Sequence, residues 1–255
     1  RMRLYEEHAA PQAISAASNA LEAAECAAGD ISHLVTISCT GFRAPGVDAA
    51  LIHKLRLSPQ VERVHVGFMG CHASINGLRV ASALAASSDR NRVLMCAVEL
   101  CSLHYFFNWV PDKLVSNALF ADGAAALICG STDSGIASWR VLATGSCMLP
   151  DSSNAMNWQV GDYGFEMSLS TTVPNHIEQS LRPWLTNWLD RQGLGLADIA
   201  HWAIHPGGPR IVAAVEQALE LPAQATQASR EILSEFGNMS SPTVLFIVRR
   251  LLEQG

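Results

Sequence analysis

The sequence predicts an α/β protein, and three observations predict it. Short apolar runs of β-type residues alternate with segments of helical period along a chain of 255 residues. The runs lack the polar/apolar alternation of a half-exposed strand, as strands covered on both faces do. A glycine-flanked turn leads into a helical segment at Gly70-Cys71 and again at Gly237-Asn238.

Taken in order, Ala13 to Ala28 is alanine-rich and reads as a helix, and His33 to Cys39 as a strand. Ala49 to Leu57 reads as helix, Val61 to Phe68 as extended, Ser74 to Ser87 as a small-residue helix, Arg92 to Val98 as extended and Gly123 to Gly130 as a short buried strand. The Ser/Asp/Gly-rich stretch Ser131 to Gly135 divides the chain into an N-terminal half, 1–135, and a C-terminal half, 136–255. Beyond it a strand is expected near Ser138 to Ala143, a loop from Leu149 to Asn157, a helix over Ile177 to Leu189 and a short strand over His201 to Ile204. Pro209 opens a helix to Leu219, and Thr243 to Glu253 forms the terminal one.

Composition narrows the function classes. With 49% apolar and 16% charged residues the chain is an ordinary globular one. Seventeen basic against 23 acidic residues give a net charge of −6, so no basic field draws it to nucleic acid or an anionic membrane. Apolar stretches such as Ala124 to Cys129 and Val244 to Val248 fall far short of the ~20 residues a membrane helix needs. Arg1 to Pro11 lacks the apolar core of a signal peptide, and the missing initiator Met predicts a processed chain or a piece of a longer product. Seven cysteines without CxxC or His/Cys ligand spacing argue against a disulfide framework and a metal site, and a reducing, cytoplasmic setting follows. Cys26, Cys96, Cys129 and Cys147 read as small apolar residues.

Cys71 lies in Gly67-Phe68-Met69-Gly70-Cys71-His72-Ala73, between a β-type run and a helix. A thiolate there is favoured by the positive end of the helix, which suits a nucleophile; a buried capping thiol fits the local sequence equally well, and a partner base must decide. His205 closes the run Trp202-Ala203-Ile204 and is followed by Pro206-Gly207-Gly208-Pro209, which turns the chain at once. Asn238 stands at the entry to the last helix, where asparagine also serves as a cap. A Cys-His-Asn set has a definite chemistry. The imidazole deprotonates the thiol, and the imidazole and amide together can donate hydrogen bonds to one carbonyl oxygen, stabilising an enolate or oxyanion. Papain-like proteases use the same residue order, but their nucleophile sits in a Cys-Gly-Ser-Cys-Trp-type segment unlike Gly67 to Ala73.

Four segments resemble the type III polyketide synthases, the chalcone and stilbene synthase family: Gly67 to Ala73, Ala118-Leu119-Phe120-Ala121-Asp122-Gly123-Ala124-Ala125-Ala126, His205 to Pro209, and Gly237-Asn238-Met239-Ser240-Ser241. Ketoacyl synthase III, the nearest relative, shares the Cys-His-Asn logic but lacks the Pro-Gly-Gly-Pro and the Met-Ser-Ser. The resemblance implies a thiolase-like fold, two similar halves in α-β-α-β-α layers, with Cys71 in the first and His205 and Asn238 in the second. It implies that Cys71 takes an acyl-CoA starter, that malonyl-CoA loses CO2 between His205 and Asn238, and that the carbanion extends the chain, which then cyclises. No cofactor is implied, only CoA thioesters as substrates, and a homodimer is the family expectation.

The same resemblance places Phe120, and Phe165 in Tyr163-Gly164-Phe165-Glu166, as gating phenylalanines, and Cys39, His104 and Ser240 at the cavity. Arg210 is a candidate contact at the tunnel mouth. Cys39 and His104 stand where plant members carry small hydroxyl residues. The segment Glu99 to His104 is more similar to bacterial members, some of which make alkylpyrones or alkylresorcinols from fatty acyl starters. Two departures are expected: a missing N-terminal segment, and a missing glycine-rich loop after the last helix, with much of the basic CoA site absent. The competing readings are a ketoacyl synthase III-like single condensing enzyme and a non-catalytic thiolase-fold fragment.

Overall fold

The computed structural model describes residues 1–107, 109, 111–130, 139–162 and 164–254. The expected boundary at 131–135, Ser138 and Tyr163 lie outside the described residues. The chain clusters into two compact units. One holds residues 1–104, 121–142 and 239–245; the other holds 105–120, 143–238 and 246–255.

The first unit is built on a four-stranded sheet of order β2-β1-β3-β4. Its strands are β1 (His33–Ser38), β2 (Glu62–Gly67), β3 (Arg92–Leu100) and β4 (Asp122–Gly130). β1 pairs in parallel with β2 and β3, while β4 returns antiparallel along β3. Every residue of β1 is buried, as the missing alternation predicted for an inner strand. β2 lies at the edge and is largely exposed.

Helix α1 (Met2–Ala23) starts well before the expected Ala13 and runs through Pro11, which lies inside it. Its buried stripe is Tyr5, Ala9, Ala13, Ala17 and Leu21, a four-residue step that continues past the proline and packs on β3 and β4. The small alanines let the helix lie close to the sheet. α2 (Val47–Leu55) packs on α1, and α3 (Ala73–Ala86) packs on β1, β3 and β4. Gly77 of α3 is required by that packing: a Cβ there would stand 2.3 Å from Ile37 Cδ1 and 3.2 Å from Met95 Sδ.

The second unit contains α4 (Pro111–Leu119), a hairpin of β5 (Met156–Gly161) and β6 (Gly164–Leu169), α5 (Val173–Asp190), α6 (Pro209–Leu219) and α7 (Gln227–Phe236). α8 (Thr243–Gln254) closes the chain. α5 packs on α6, and Arg182 of α5 donates to the carbonyls of Ala218 and Leu219 at 2.9 and 3.0 Å, satisfying the orphan acceptors of the α6 C-terminus.

Two expected strands are not found among the described residues. Residues 139–143 and 201–204 carry no ladder partner among the described residues, and the N–H of Ile204 donates to Ser229 Oγ of α7 at 3.0 Å instead. A β-type run becomes a strand only where another strand takes its backbone groups. The loop expected up to Asn157 ends sooner, since β5 begins at Met156.

Candidate active site

In the first unit, Cys71 sits on a backbone that the sequence forces into an elbow. β2 stops at Gly67, Phe68 takes φ 55° and Gly70 takes φ 67°, both left-handed. Glycine bears such a φ without cost, whereas Phe68 is strained there. Cys71 follows in a single 3-10 turn, Gly70–His72, and α3 begins at Ala73. The half-buried thiol is therefore carried just ahead of the N-terminal end of a 14-residue helix, where peptide dipoles favour a thiolate.

The end of β1 braces this elbow. Ser38 C=O accepts the Phe68 N–H at 3.3 Å, and Cys39 Sγ accepts the Gly70 N–H at 3.1 Å. Cys39 is buried, and burial first, then the charge of Glu99, pushes its thiol up to about 12. It stays a neutral thiol.

Glu99 is the residue that sequence reasoning missed. It is fully buried at the end of β3 and accepts hydrogen bonds from the Cys39 N–H at 2.8 Å, Thr40 Oγ1 at 2.8 Å, Ser38 Oγ at 3.4 Å and Ser241 Oγ at 2.6 Å. Tyr5 OH in turn donates to Ser38 Oγ at 2.7 Å. Burial pushes the Glu99 carboxyl up to about 7, against the opposing pull of the Ser241, Cys39 and Thr40 donors. The signal was available: a lone acidic residue inside an otherwise apolar β-run is buried only when donors hold it.

His104, at the end of a 3-10 turn after β3, is buried and donates from Nε2 to the Thr40 carbonyl at 2.6 Å; burial lowers its pKa. It thus steadies the residue whose hydroxyl serves Glu99. Ser240 is buried at φ 58°, and its carbonyl accepts the Thr243 N–H that opens α8. Met239, also buried, fills the space beside Gly123, where a Cβ would come 2.5 Å from its sulfur. The Met-Ser-Ser segment is held by packing on one side and by Glu99 on the other.

The second unit holds His205, Asn238, Phe120 and Phe165. The Gly207 N–H folds back onto the His205 carbonyl at 3.1 Å, and α6 starts at Pro209, so the imidazole is fixed at a tight turn. Both its ring nitrogens and the amide nitrogen of Asn238 are buried from solvent. The Asn238 N–H donates to Leu119 C=O at 2.8 Å, and Asn238 pairs with Phe120 in a single parallel bridge. Leu119 also approaches the His205 turn, its Cδ1 lying 3.5 Å from a Cβ built on Gly208. The end of α4 is thus a common neighbour of Asn238 and of the turn after His205.

Phe165 is buried in β6, edge-on to Trp158 of β5 with ring centroids 5.8 Å apart, and β6 packs against α4. Arg210 is exposed in the first turn of α6. Among the described residues no cluster of three His, Cys, Asp or Glu is placed to hold a metal ion, and no helix is long and apolar enough to cross a membrane.

Comparison with known proteins covers nearly the whole chain. Residues 1–133 match the family described as chalcone and stilbene synthases, N-terminal domain, and residues 141–254 match its C-terminal domain. The chain is 34% identical, over 258 aligned residues, to the alpha-pyrone synthesis polyketide synthase-like Pks18 of Mycobacterium tuberculosis, covering all of this chain and 66% of that protein. It is 39% identical over 237 residues to the 1,3,6,8-tetrahydroxynaphthalene synthase of Streptomyces peucetius, covering 91% of this chain and 63% of that one. The crystal structure of PKS-I from the brown alga Ectocarpus siliculosus superposes with a TM-score of 0.95 at 31% identity, covering 99% of this chain and 68% of that chain. The chain thus spans about two thirds of the length of the relatives it matches.

Proposed function

This chain belongs to the chalcone and stilbene synthase family, the type III polyketide synthases with a thiolase-like fold, and from that premise we propose its reaction. It transfers an acyl starter from CoA and extends it with malonyl-CoA. The Cys71 thiolate attacks the starter thioester, forming a new C–S bond while the C–S bond to CoA breaks and CoA leaves as a thiolate, which takes up the proton that the Cys71 thiol released. Malonyl-CoA then loses CO2, and the electron pair of the broken C–C bond passes into an enolate whose oxygen accepts hydrogen bonds from His205 and Asn238. The enolate carbon attacks the Cys71 thioester, a C–C bond forms and the thiolate returns. Repetition and cyclisation complete the product, an α-pyrone or resorcinol type being the first to look for. No cofactor takes part in the proposed reaction, because the thioester supplies the leaving group and the loss of CO2 supplies the carbanion.

The observation that carries this reading is the pairing of motif and environment in each unit. Cys71 sits on a strained elbow before a helix, and the donors of His205 and Asn238 are buried, where a hydrogen bond to a developing oxyanion is strongest. The gating role of Phe120 and Phe165 and the mouth contact of Arg210 belong to the same proposal, as does a cytoplasmic home, which suits seven free thiols. Incubation of the purified protein with malonyl-CoA and short, aromatic and long-chain acyl-CoA starters tests it. Mass spectrometry should show products grown by more than one two-carbon unit on CoA; a single extension, made only on an acyl carrier protein, would replace the reading with a ketoacyl synthase III-like one.

We also propose a homodimer. In support, the outer edge of β2 is exposed from Glu62 to His65 and bears no further strand among the described residues, and such an edge is a template for pairing. Light scattering should return the mass of two chains at micromolar concentration, and the mass of one would refute it.

A further inference from the structure

We propose that Cys39 is a positioning residue for the nucleophile: its thiol is a clasp on the backbone of Gly70 that holds the elbow presenting Cys71. The inference rests on the reading of Cys71 as nucleophile and assigns Cys39 a task other than lining a cavity.

β1 and β2 pair in parallel down to Ser38 and Gly67, and the last backbone rung beyond that pair is Phe68 N–H to Ser38 C=O. Past it both chains leave the ladder, and the elbow, with Phe68 and Gly70 at positive φ, needs a partner for the Gly70 amide. Cys39 supplies it. Its Sγ accepts the Gly70 N–H at 3.1 Å and donates to the Gly70 carbonyl oxygen at 3.7 Å, so one side chain meets both polar groups of the residue before Cys71. The clasp is anchored from behind, because the Cys39 N–H donates to Glu99 at 2.8 Å. A thiolate would lose the donor side of this contact; the burial that keeps Cys39 neutral preserves it.

An unclasped Gly70 relaxes toward other turns, since glycine has many to choose from, and Cys71 then loses its fixed place ahead of α3. What is lost is thiolate stabilisation and aim, and thiol reactivity reads both without any substrate.

The test compares Cys39→Ser with Cys39→Ala. The two side chains are nearly equal in size and leave nearly the same gap, but only serine can accept the Gly70 N–H. Iodoacetamide is the probe, and the rate of alkylation at Cys71 is followed by peptide mass mapping across pH, with thermal unfolding as the control for folding. The expected result is a Cys71 rate in Cys39→Ser within about threefold of the native protein, and in Cys39→Ala about tenfold slower with its pH midpoint moved upward. Equal rates in the two variants, or native rates with an altered product length, would overturn the proposal and leave Cys39 as packing or cavity wall. Turnover of Cys71→Ala is measured alongside. If that variant still condenses, the nucleophile reading fails; if it is dead while the two Cys39 variants match, only the clasp fails.

Discussion

Cys71→Ala abolishes chain extension, with a fall of at least about 10³-fold in the rate of condensed product, while the protein stays folded. The half-buried thiol starts a helix and fills no core, so its loss costs little stability. No neighbouring cysteine takes over. Cys39 has its thiol pushed up to about 12 and its sulfur engaged with Gly70, and buried Cys101 has its thiol pushed well up by burial. On the proposed mechanism decarboxylation of malonyl-CoA persists in the variant, because that step needs the carbonyl contacts of His205 and Asn238 and no thioester on Cys71. Condensed product at the native rate, read by mass spectrometry, contradicts this.

The second large effect is on stability. Glu99→Ala strips the acceptor from the Cys39 N–H and the hydroxyls of Thr40 and Ser241 and opens a cavity at a fully buried site. Urea unfolding should show a loss of about 3–5 kcal/mol. The carboxyl also leaves a pH signature. Its pKa in the folded protein is raised to about 7 from an ordinary 4.5, so the folded state holds the proton more tightly than the unfolded chain. The stabilisation this brings is complete below pH 4.5 and is lost as pH rises through 7, a change of about 3 kcal/mol across that window. Glu99→Gln, which cannot ionise, should lack this component. Identical pH slopes in the native protein and Glu99→Gln would show that Glu99 does not carry it.

Much of the fold could be read from local pattern, and the exceptions have physical causes. β1, β3, α3 and α6 fall where the apolar runs, small residues and the Pro209 start signal put them. The hairpin of β5 and β6 is not among the expected elements, although Met156 to Gly161 and Gly164 to Leu169 each alternate apolar and polar residues, and the loop expected from Leu149 to Asn157 overlaps its start. α7 is not among the expected elements, because its apolar positions, Ala228, Ile232, Leu233 and Phe236, are interspersed with Arg230, Glu231 and Glu235. His201 to Ile204 has strand chemistry in its side chains, yet strand formation depends on a partner that no local pattern encodes.

The candidate site was legible to a different degree. Gly70 and the Pro-Gly-Gly-Pro announce sharp turns by residue type alone, and those turns are where the chain puts Cys71 and His205. The Glu99 network was not readable in that way. Its donors, Ser38, Cys39, Thr40 and Ser241, lie on β1's end and on a segment more than 140 residues further on, so only the folded unit brings them to one carboxylate.

The central claim is that Cys71 carries the growing chain, and the most direct measurement is peptide mass mapping after incubation with an acyl-CoA starter in the absence of malonyl-CoA. The account predicts a mass increase equal to the starter acyl group on the peptide that holds Cys71, reversed by added malonyl-CoA, and none on exposed Cys147. An unmodified Cys71 peptide in protein that goes on to form condensed product, or the acyl group on another cysteine, would contradict it.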